Sequence, residues 1–455
     1  MTVSEPSAAQ ADAASAHACA LAALANAVEA VAEPFVHQGG RVVDASAQAL
    51  AVRGLEAVAA LGDVVRIGRG SGAGKAEVVA LREAAALVKP YDDRVVARLG
   101  DRVWRDAALS LRPNAGWLGR AIDPFGRPVD GLGPLSCGDS DAPLFADPPP
   151  SLSRQRVGEP LRTGVRVIDI FTPLVRGQRI GLFAGSGVGK STLLAMLTRA
   201  AAFDVAVVAL VGERGREARE FLEDVLGDRR GRAIAIVATG DESAMMRRLA
   251  PFAAMAVAEF FRDQGAHVLL AVDSITRYAH AARDVALASG EPPVARGFPP
   301  SVFSTLPKLL ERAGPGVEGR GAVTALFAVL VDGDDHNDPV ADCARGSLDG
   351  HIVLDRAIAD QGRYPAVNIL ASVSRLADLA WTPDERKAAQ MLKAMAAQFE
   401  ETRDMRMIAG HRAGADEALD KAVALTPRLY GALRQHPADP PSLDPFQETL
   451  RALQG

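Results

Sequence analysis

The spacing of apolar residues changes along the chain and divides it into four zones. Residues 1–33 are rich in alanine and carry their larger apolar side chains at helical spacing, which predicts a docking helix or, alternatively, a frayed leader. Residues 34–100 contain short apolar runs broken by Gly and Asp, the pattern of a small antiparallel β-barrel. In residues 101–380, strand-type runs alternate with helical runs, which predicts a parallel sheet covered by helices on both faces. Residues 381–455 are typical of a helical domain.

The composition of the chain narrows the classes of protein to which it can belong. It has 455 residues, of which 48% are hydrophobic, and this suits several domains with apolar cores and excludes a wholly disordered chain. The formal net charge of −5 and the aromatic content of 5% give no basic or stacking surface for nucleic acid. Three widely spaced cysteines predict neither a disulfide framework nor a zinc site.

No feature of the sequence predicts secretion or insertion into a membrane. The first 40 residues contain no Lys or Arg, so the positively charged start of a secretory signal is missing. The longest apolar stretches have the length of strands and are shorter than a membrane-spanning helix. We therefore expect a soluble protein of the reducing cytoplasm.

A glycine-rich turn between a strand and a helix is the strongest motif of the sequence. Residues 184–192 follow the apolar run Arg179–Phe183 and precede the helical run Leu193–Leu197. Glycines let backbone N–H groups converge on a phosphate, and the start of the helix adds a favourable field. Lys190 is expected to contact the β- and γ-phosphates, and the Ser191 hydroxyl is expected to bind Mg²⁺. The nucleotide-binding residues predicted here are Gly185, Ser186, Gly187, Val188, Gly189, Lys190, Ser191 and Thr192.

Two further apolar runs lead into carboxylates suited to a hydrolytic site. The run His267–Asp273 ends in an aspartate, and parallel strands deliver such residues to one edge of their sheet. Asp273 is therefore expected to hold Mg²⁺ through a water molecule. The run Val205–Val211 is followed by Glu213, which is suited to polarising an attacking water. The alternative is a salt-bridged surface turn, since residues 212–217 contain two acids and two arginines.

Several longer motifs accompany the phosphate loop. They are Gly212–Glu217, Asp273–Tyr278, Gly290–Pro293, Arg296–Phe303, Arg345–Leu354, Arg363–Val367 and Ser372–Arg375. On these motifs the chain resembles the type III protein-export ATPases, relatives of the rotary ATP synthase α and β subunits, and flagellar members fit best. The resemblance is specific over about residues 100–380 and looser elsewhere. It implies an α/β fold with a RecA-like P-loop NTPase core, an N-terminal β-barrel and a C-terminal helical domain.

The resemblance also implies roles for individual residues. Glu213 matches the glutamate that positions the attacking water, and the adjacent Arg214 is assigned to the catalytic group with it. Arg375 matches the arginine finger, which reaches the γ-phosphate bound by a neighbouring subunit. Tyr364 matches the residue that stacks on adenine, with ordinary core packing as the alternative.

The implied assembly is a homo-hexamer that hydrolyses ATP with Mg²⁺. Because one chain carries both Glu213 and Arg375, every interface of such a ring can form a complete site. By resemblance, ATP hydrolysis releases export substrates from chaperones and feeds them to a membrane export gate. A regulatory stalk protein is expected to bind the N-terminal region. The expected location is cytoplasmic, at the periphery of the export apparatus on the inner membrane.

Three alternative functions remain open from the sequence. Virulence-type injectisome ATPases share nearly all of these motifs. A non-catalytic nucleotide-binding ring subunit is disfavoured because Lys190 and Glu213 are both present. A nucleic-acid translocase is also disfavoured, because residues 1–100 hold 9 basic and 11 acidic residues and only two aromatic ones.

Overall fold

The computed structural model describes residues 38–454, with gaps at 47, 69–72, 151, 186, 201, 226–230, 332–337, 412–413 and 415. The helical leader predicted for residues 1–33 and Ser186 of the phosphate loop lie outside the described residues. Within the described part of the chain, no helix combines the length and the apolar character needed to cross a membrane.

A closed barrel of antiparallel strands comes first. Its strands are β1 Gly39–Ala45, β2 Leu50–Arg53, β3 Val64–Ile67, β4 Gly74–Arg82, β5 Ala85–Pro90 and β6 Arg102–Arg105. Their order around the barrel is β1-β2-β5-β4-β3-β6. Alternate residues point inward, as strand geometry requires, and Val52, Val78 and Val88 are completely buried. The predicted barrel is thus present, and β6, which closes it, lies beyond residue 100.

The central domain is built on a mixed sheet that is parallel except at its margins. The remaining strands are β7 Ser110–Leu111, β8 Ala121–Ile122, β9 Ala142–Pro143, β10 Pro160–Leu161, β11 Leu174–Val175, β12 Arg179–Ala184, β13 Val205–Val211, β14 Ala233–Ala238, β15 His267–Asp273, β16 Gly314–Pro315, β17 Ala322–Leu330, β18 Gly350–Leu354 and β19 Val373–Ser374. The order across the sheet is β19-β18-β12-β17-β15-β13-β14-β8. β19 runs antiparallel to β18, and β16 runs antiparallel to β17.

Helices cover both faces of this sheet. They are α1 Arg166–Phe171, α2 Lys190–Thr198, α3 Gly215–Glu220, α4 Ala244–Asp263, α5 Ile275–Ser289, α6 Pro300–Glu311, α7 Pro339–Ser347, α8 Arg356–Asp360 and α9 Ala377–Ala380. Along β13, Val207 belongs to one apolar cluster and its neighbour Val208 to another. Because successive side chains on a strand point to opposite faces, two separate cores form, which confirms the predicted α/β fold.

The C-terminal region is helical and packs against the central domain. Its helices are α10 Pro383–Glu401, α11 Arg403–Ala409, α12 Glu417–Ala432 and α13 Pro445–Gln454. A reciprocal capping box between Thr382 and Glu385 starts α10. Ala396 and Leu429 are buried in the same apolar cluster as Val208 of β13. These helices are therefore packed onto one face of the central sheet.

Candidate active site

The glycine-rich turn joins β12 to α2 at the carboxyl edge of the sheet. β12 lies between β17 and β18, and its residues from Ile180 to Ala184 are buried. Gly187 and Gly189 have φ angles of 78° and 92°, which a side chain would strain. Gly189 immediately precedes α2, and no side chain caps the N–H groups at the start of this helix. The turn is thus shaped to receive an anion at the positive end of α2.

Lys190 brings together the carboxylates predicted from two different strands. Its ammonium forms an ion pair with Asp273, at the end of β15, and lies 3.4 Å from Glu213 Oε1, just after β13. Burial raises the pKa of the Asp273 carboxyl, while the charge of Lys190 opposes that increase. One cation therefore holds two acids beside the phosphate loop, in a site that is largely shielded from water.

Backbone hydrogen bonds fix the position of Glu213. The Gly212 N–H donates to Ala238 O at 2.7 Å, and the Gly240 N–H donates to Glu213 O at 2.9 Å. Burial and the neighbouring Glu213 carboxylate raise the pKa of Glu217, one turn into α3. The turn at residues 212–217, for which a salt-bridged surface turn was the alternative, is therefore hydrogen-bonded at Gly212 and Glu213 to the end of the neighbouring strand β14 and the residues that follow it.

Arg277 is a site residue that the sequence reasoning did not single out. A Cβ placed on Gly212 would lie 3.2 Å from Arg277 Cβ, so the arginine packs against the turn that carries Glu213. Its positive charge also opposes the increase in the pKa of Asp273 that burial causes. The signal was available, because Arg277 follows Asp273 by four residues at the start of α5 and lies within one of the family motifs.

The donor set at this edge fits magnesium. Ser191 lies in the first turn of α2 with its side chain on the exposed side, and Thr192 follows it. The Ser191 hydroxyl and the Asp273 carboxylate supply oxygen atoms, the ligands that Mg²⁺ prefers. Among the described residues, no cluster of three or more His, Cys, Asp or Glu side chains is suited to another metal ion.

Tyr364 lies against the phosphate loop. A Cβ placed on Gly189 would lie 3.4 Å from Tyr364 Cε1, so the ring packs directly over this glycine. The tyrosine is 41% exposed, which leaves part of its ring open to a ligand. Core packing, the alternative from the sequence, does not describe a ring with this exposure.

Arg375 lies at the opposite edge of the sheet from Lys190. Ser374 of β19 pairs with Gly350, the first residue of β18, and the Arg375 N–H donates to Asp349 O at 2.9 Å. β18 runs parallel to β12, and the phosphate loop follows the carboxyl end of β12, roughly 15 Å farther along. The exposed Arg375 guanidinium donates to Arg345 O at 3.3 Å. Within one chain, the structure therefore does not bring Arg375 to Lys190.

Arg214 also points away from the carboxylate pair. Its side chain is 82% exposed and lies 3.9 Å from Glu217 Oε1. Its contribution to catalysis stays a prediction, and so do the roles assigned to Glu213, Tyr364 and Arg375.

Known proteins share this architecture. The model of the nucleotide-binding domain of the ATP synthase alpha/beta family matches residues 164–374, and that of the T3SS EscN ATPase C-terminal domain matches residues 381–454. The chain is 52% identical to the flagellum-specific ATP synthase of Agrobacterium fabrum, over 96% of the chain and 92% of the relative. It is 40% identical to a type 3 secretion system ATPase of Xanthomonas euvesicatoria, over 91% of the chain and 93% of the relative.

Solved structures of similar proteins agree with the family matches. The assembled ATPase EscN of enteropathogenic E. coli is 38% identical, with a TM-score of 0.84 over 91% of this chain and 100% of EscN. EscN in complex with its central stalk EscO gives a TM-score of 0.80 at 38% identity, over 91% of this chain and 99% of that one.

Proposed function

The chain belongs to the family of flagellum-specific ATP synthases and type III secretion ATPases, and from this premise we propose that it is the ATPase of flagellar type III protein export. The ion pairs of Lys190 with Asp273 and Glu213, beside an uncapped helix start, are the observation that carries the proposal. They join the phosphate-binding cation and the candidate water-activating acid in one site.

The residues of this site divide the work of phosphoryl transfer. N–H groups of the glycine turn and the Lys190 ammonium bind the phosphates of ATP and stabilise the charge that develops on them. The Glu213 carboxylate orients the attacking water in line with the γ-phosphate. The Ser191 hydroxyl and, through water, Asp273 would hold Mg²⁺, which supplies further neutralisation of phosphate charge. Tyr364 stacks on the adenine ring.

Arg375 acts on the site of a neighbouring subunit in a homo-hexamer. Arg375 lies at the amino edge of the sheet, where the parallel strands begin, and is remote from its own phosphate loop. This position supports the role, because an exposed guanidinium at that edge can face another copy of the chain. A head-to-tail ring repeats such a contact at every interface. The solved EscN relative is likewise described as assembled.

The partners of the motor follow from the same proposal. The N-terminal region binds a regulatory stalk protein, and the EscN relative is known in complex with a central stalk. Chaperone-bound export substrates are released by ATP hydrolysis and pass to a membrane export gate, with the ring held at the periphery of the inner membrane. An injectisome ATPase is the second candidate, but the flagellar relative is the more similar of the two, at 52% against 40% identity.

A deletion strain tests this function. Loss of filaments and swimming, with other type III secretion retained, is expected, and the wild-type gene should restore both. Purified Glu213→Gln protein should lose most ATP hydrolysis, because a neutral amide cannot polarise water as a carboxylate does. Normal filaments in the deletion strain would contradict the flagellar role, whereas full hydrolysis by Glu213→Gln would contradict the assigned mechanism.

A further inference from the structure

The backbone that carries Tyr364 is hydrogen-bonded to the C-terminal helical domain. The Gln435 N–H, just past the end of α12, donates to Tyr364 O at 3.0 Å. Tyr364 in turn packs on Gly189 of the phosphate loop. A single hydrogen bond thus links the C-terminal domain to Tyr364, the residue that lies against the phosphate loop.

The side chain of Gln435 is itself fixed at both ends. Its Oε1 accepts from the Arg166 N–H at 3.0 Å, and its Nε2 donates to Gly164 O at 2.8 Å. Gln435 is only 4% exposed. Because the carbonyl and the amino group each face a partner of the opposite kind, only one orientation of the amide satisfies both bonds. Gln435 therefore anchors the end of α12 to the start of α1.

A second contact holds the residue next to Tyr364. The Arg363 guanidinium lies 3.8 Å from the centre of the Tyr430 ring on α12. The Tyr430 hydroxyl donates to Glu400 Oε1 on α10 at 2.7 Å, and burial raises the pKa of this tyrosine to about 12, so it stays a donor. The neighbouring residues Arg363 and Tyr364 are thus contacted by Tyr430 of α12 and by Gln435, which lies just past the end of α12.

The same segment also reaches the helix that follows the phosphate loop. Arg199, at the end of α2, donates from Nη1 to Pro437 O at 3.4 Å. Residues 430–437 therefore contact both Tyr364 and the carboxyl end of α2, the helix that starts at the phosphate loop.

We propose that Gln435 and Tyr430 are positioning residues for the nucleotide base. They hold Tyr364 over Gly189, so that a displacement of α12 changes the affinity for the adenine ring while leaving the groups that act on the γ-phosphate in place. This inference rests on the proposed function, since it takes Tyr364 as the base-stacking residue. It makes the C-terminal domain a contributor to nucleotide affinity.

Steady-state kinetics of the assembled full-length enzyme test the inference. Gln435→Ala should raise the KM for ATP about three- to tenfold, the range of one or two lost hydrogen bonds, with kcat within about twofold of wild type. Tyr430→Leu should act in the same direction and provides a second variant if Gln435→Ala folds poorly. Gln361→Ala, at an exposed glutamine three residues before Tyr364, is the matched control and should leave KM unchanged.

Inorganic tripolyphosphate separates an effect on the base from a general one. It competes at the phosphate loop without a base, so its inhibition constant should not change in Gln435→Ala. Equal increases in this constant and in the KM for ATP would overturn the inference, because the damage would then extend to the phosphate loop.

Tyr364→Ala provides the reference. It should raise the KM for ATP, and adding Gln435→Ala to it should raise KM no further, since both act through the same ring. Additive effects would overturn the inference. So would a raised KM in Tyr364→Ala with no change in Gln435→Ala or Tyr430→Leu. An unchanged KM in Tyr364→Ala would overturn the base contact itself, while the Glu213→Gln experiment tests ATP hydrolysis separately.

Discussion

The two edges of the central sheet carry their charged residues in different ways. At the carboxyl edge, Lys190, Asp273 and Glu213 are mostly buried, and the Lys190 cation pairs with both carboxylates within one chain. At the amino edge, Arg375 is exposed, and its guanidinium is matched by a backbone carbonyl in place of a carboxylate. A buried, internally paired cluster suits a role in its own chain, whereas an exposed arginine that pairs with no carboxylate among the described residues suits a role at a neighbouring chain. Under the proposed function, each chain supplies one half of each of two different sites.

Mixing two inactive variants gives the sharpest test of this division. Arg375→Ala should lower kcat by about 10³-fold or more, in the range known for arginine fingers. Mixed in equal amounts with Glu213→Gln and reassembled, it should recover about a quarter of the wild-type ATPase rate, because half of the subunits on each side of an interface carry the required residue.

The control for mixing is each variant reassembled with itself, which should stay inactive. No recovery in the mixture, at protein concentrations where rings form, would mean that both residues act within one chain and that the contrast between the edges is wrong.

Replacing Lys190 tests the carboxyl edge by itself. Lys190→Met should lower kcat about 10²–10³-fold, since the cation that stabilises phosphate charge is lost. It also leaves Asp273 buried beside Glu213 without its main counter-charge, so the pKa of Asp273 should rise further. ATPase assays measure the first effect, and NMR titration of the labelled carboxyl measures the second. Lys421→Met, at an exposed lysine of α12, should change neither; retention of a third of the activity by Lys190→Met would contradict the assignment.

A titration tests the amino edge, where the buried polar groups have structural roles. His267 accepts from Thr324 Oγ1 at 2.9 Å and donates to Ala202 O at 2.8 Å, as a neutral ring does. Burial lowers its pKa from 6.5 to about 4. The unfolded chain therefore binds more protons between these values, and the free energy of unfolding falls as the pH is lowered through this window.

The comparison with His267→Gln isolates this histidine from the other titrating groups. The variant should unfold at a lower temperature than wild type at pH 7.5, and the difference should shrink by about 5 °C at pH 4. Thermal unfolding followed by circular dichroism measures it. A difference that stays constant with pH would show that His267 does not titrate in this window.

Much of the site follows from local sequence. The residues of the glycine turn are adjacent in sequence, between β12 and α2. They therefore lie together however the rest of the chain folds. Asp273 and Glu213 were also predictable, because adjacent parallel strands deliver their ends to one edge. Arg277 was missed because its role comes from packing against Gly212, a residue of another strand end. The closing strand β6 was placed outside the barrel because its sequence, Arg-Val-Trp-Arg, carries only a weak apolar alternation.

The sequence by itself determined the fold class, the phosphate loop and the two carboxylates, since short-range patterns and the rules of parallel sheets specify them. Only the tertiary structure decided that Arg375 lies at the opposite edge, because the direction of the two-residue strand β19 depends on its pairing with β18. It alone also decided that the Gln435 N–H donates to the Tyr364 carbonyl. A hydrogen bond between distant segments leaves no periodic signal along the chain, and its partners meet only when the helices pack.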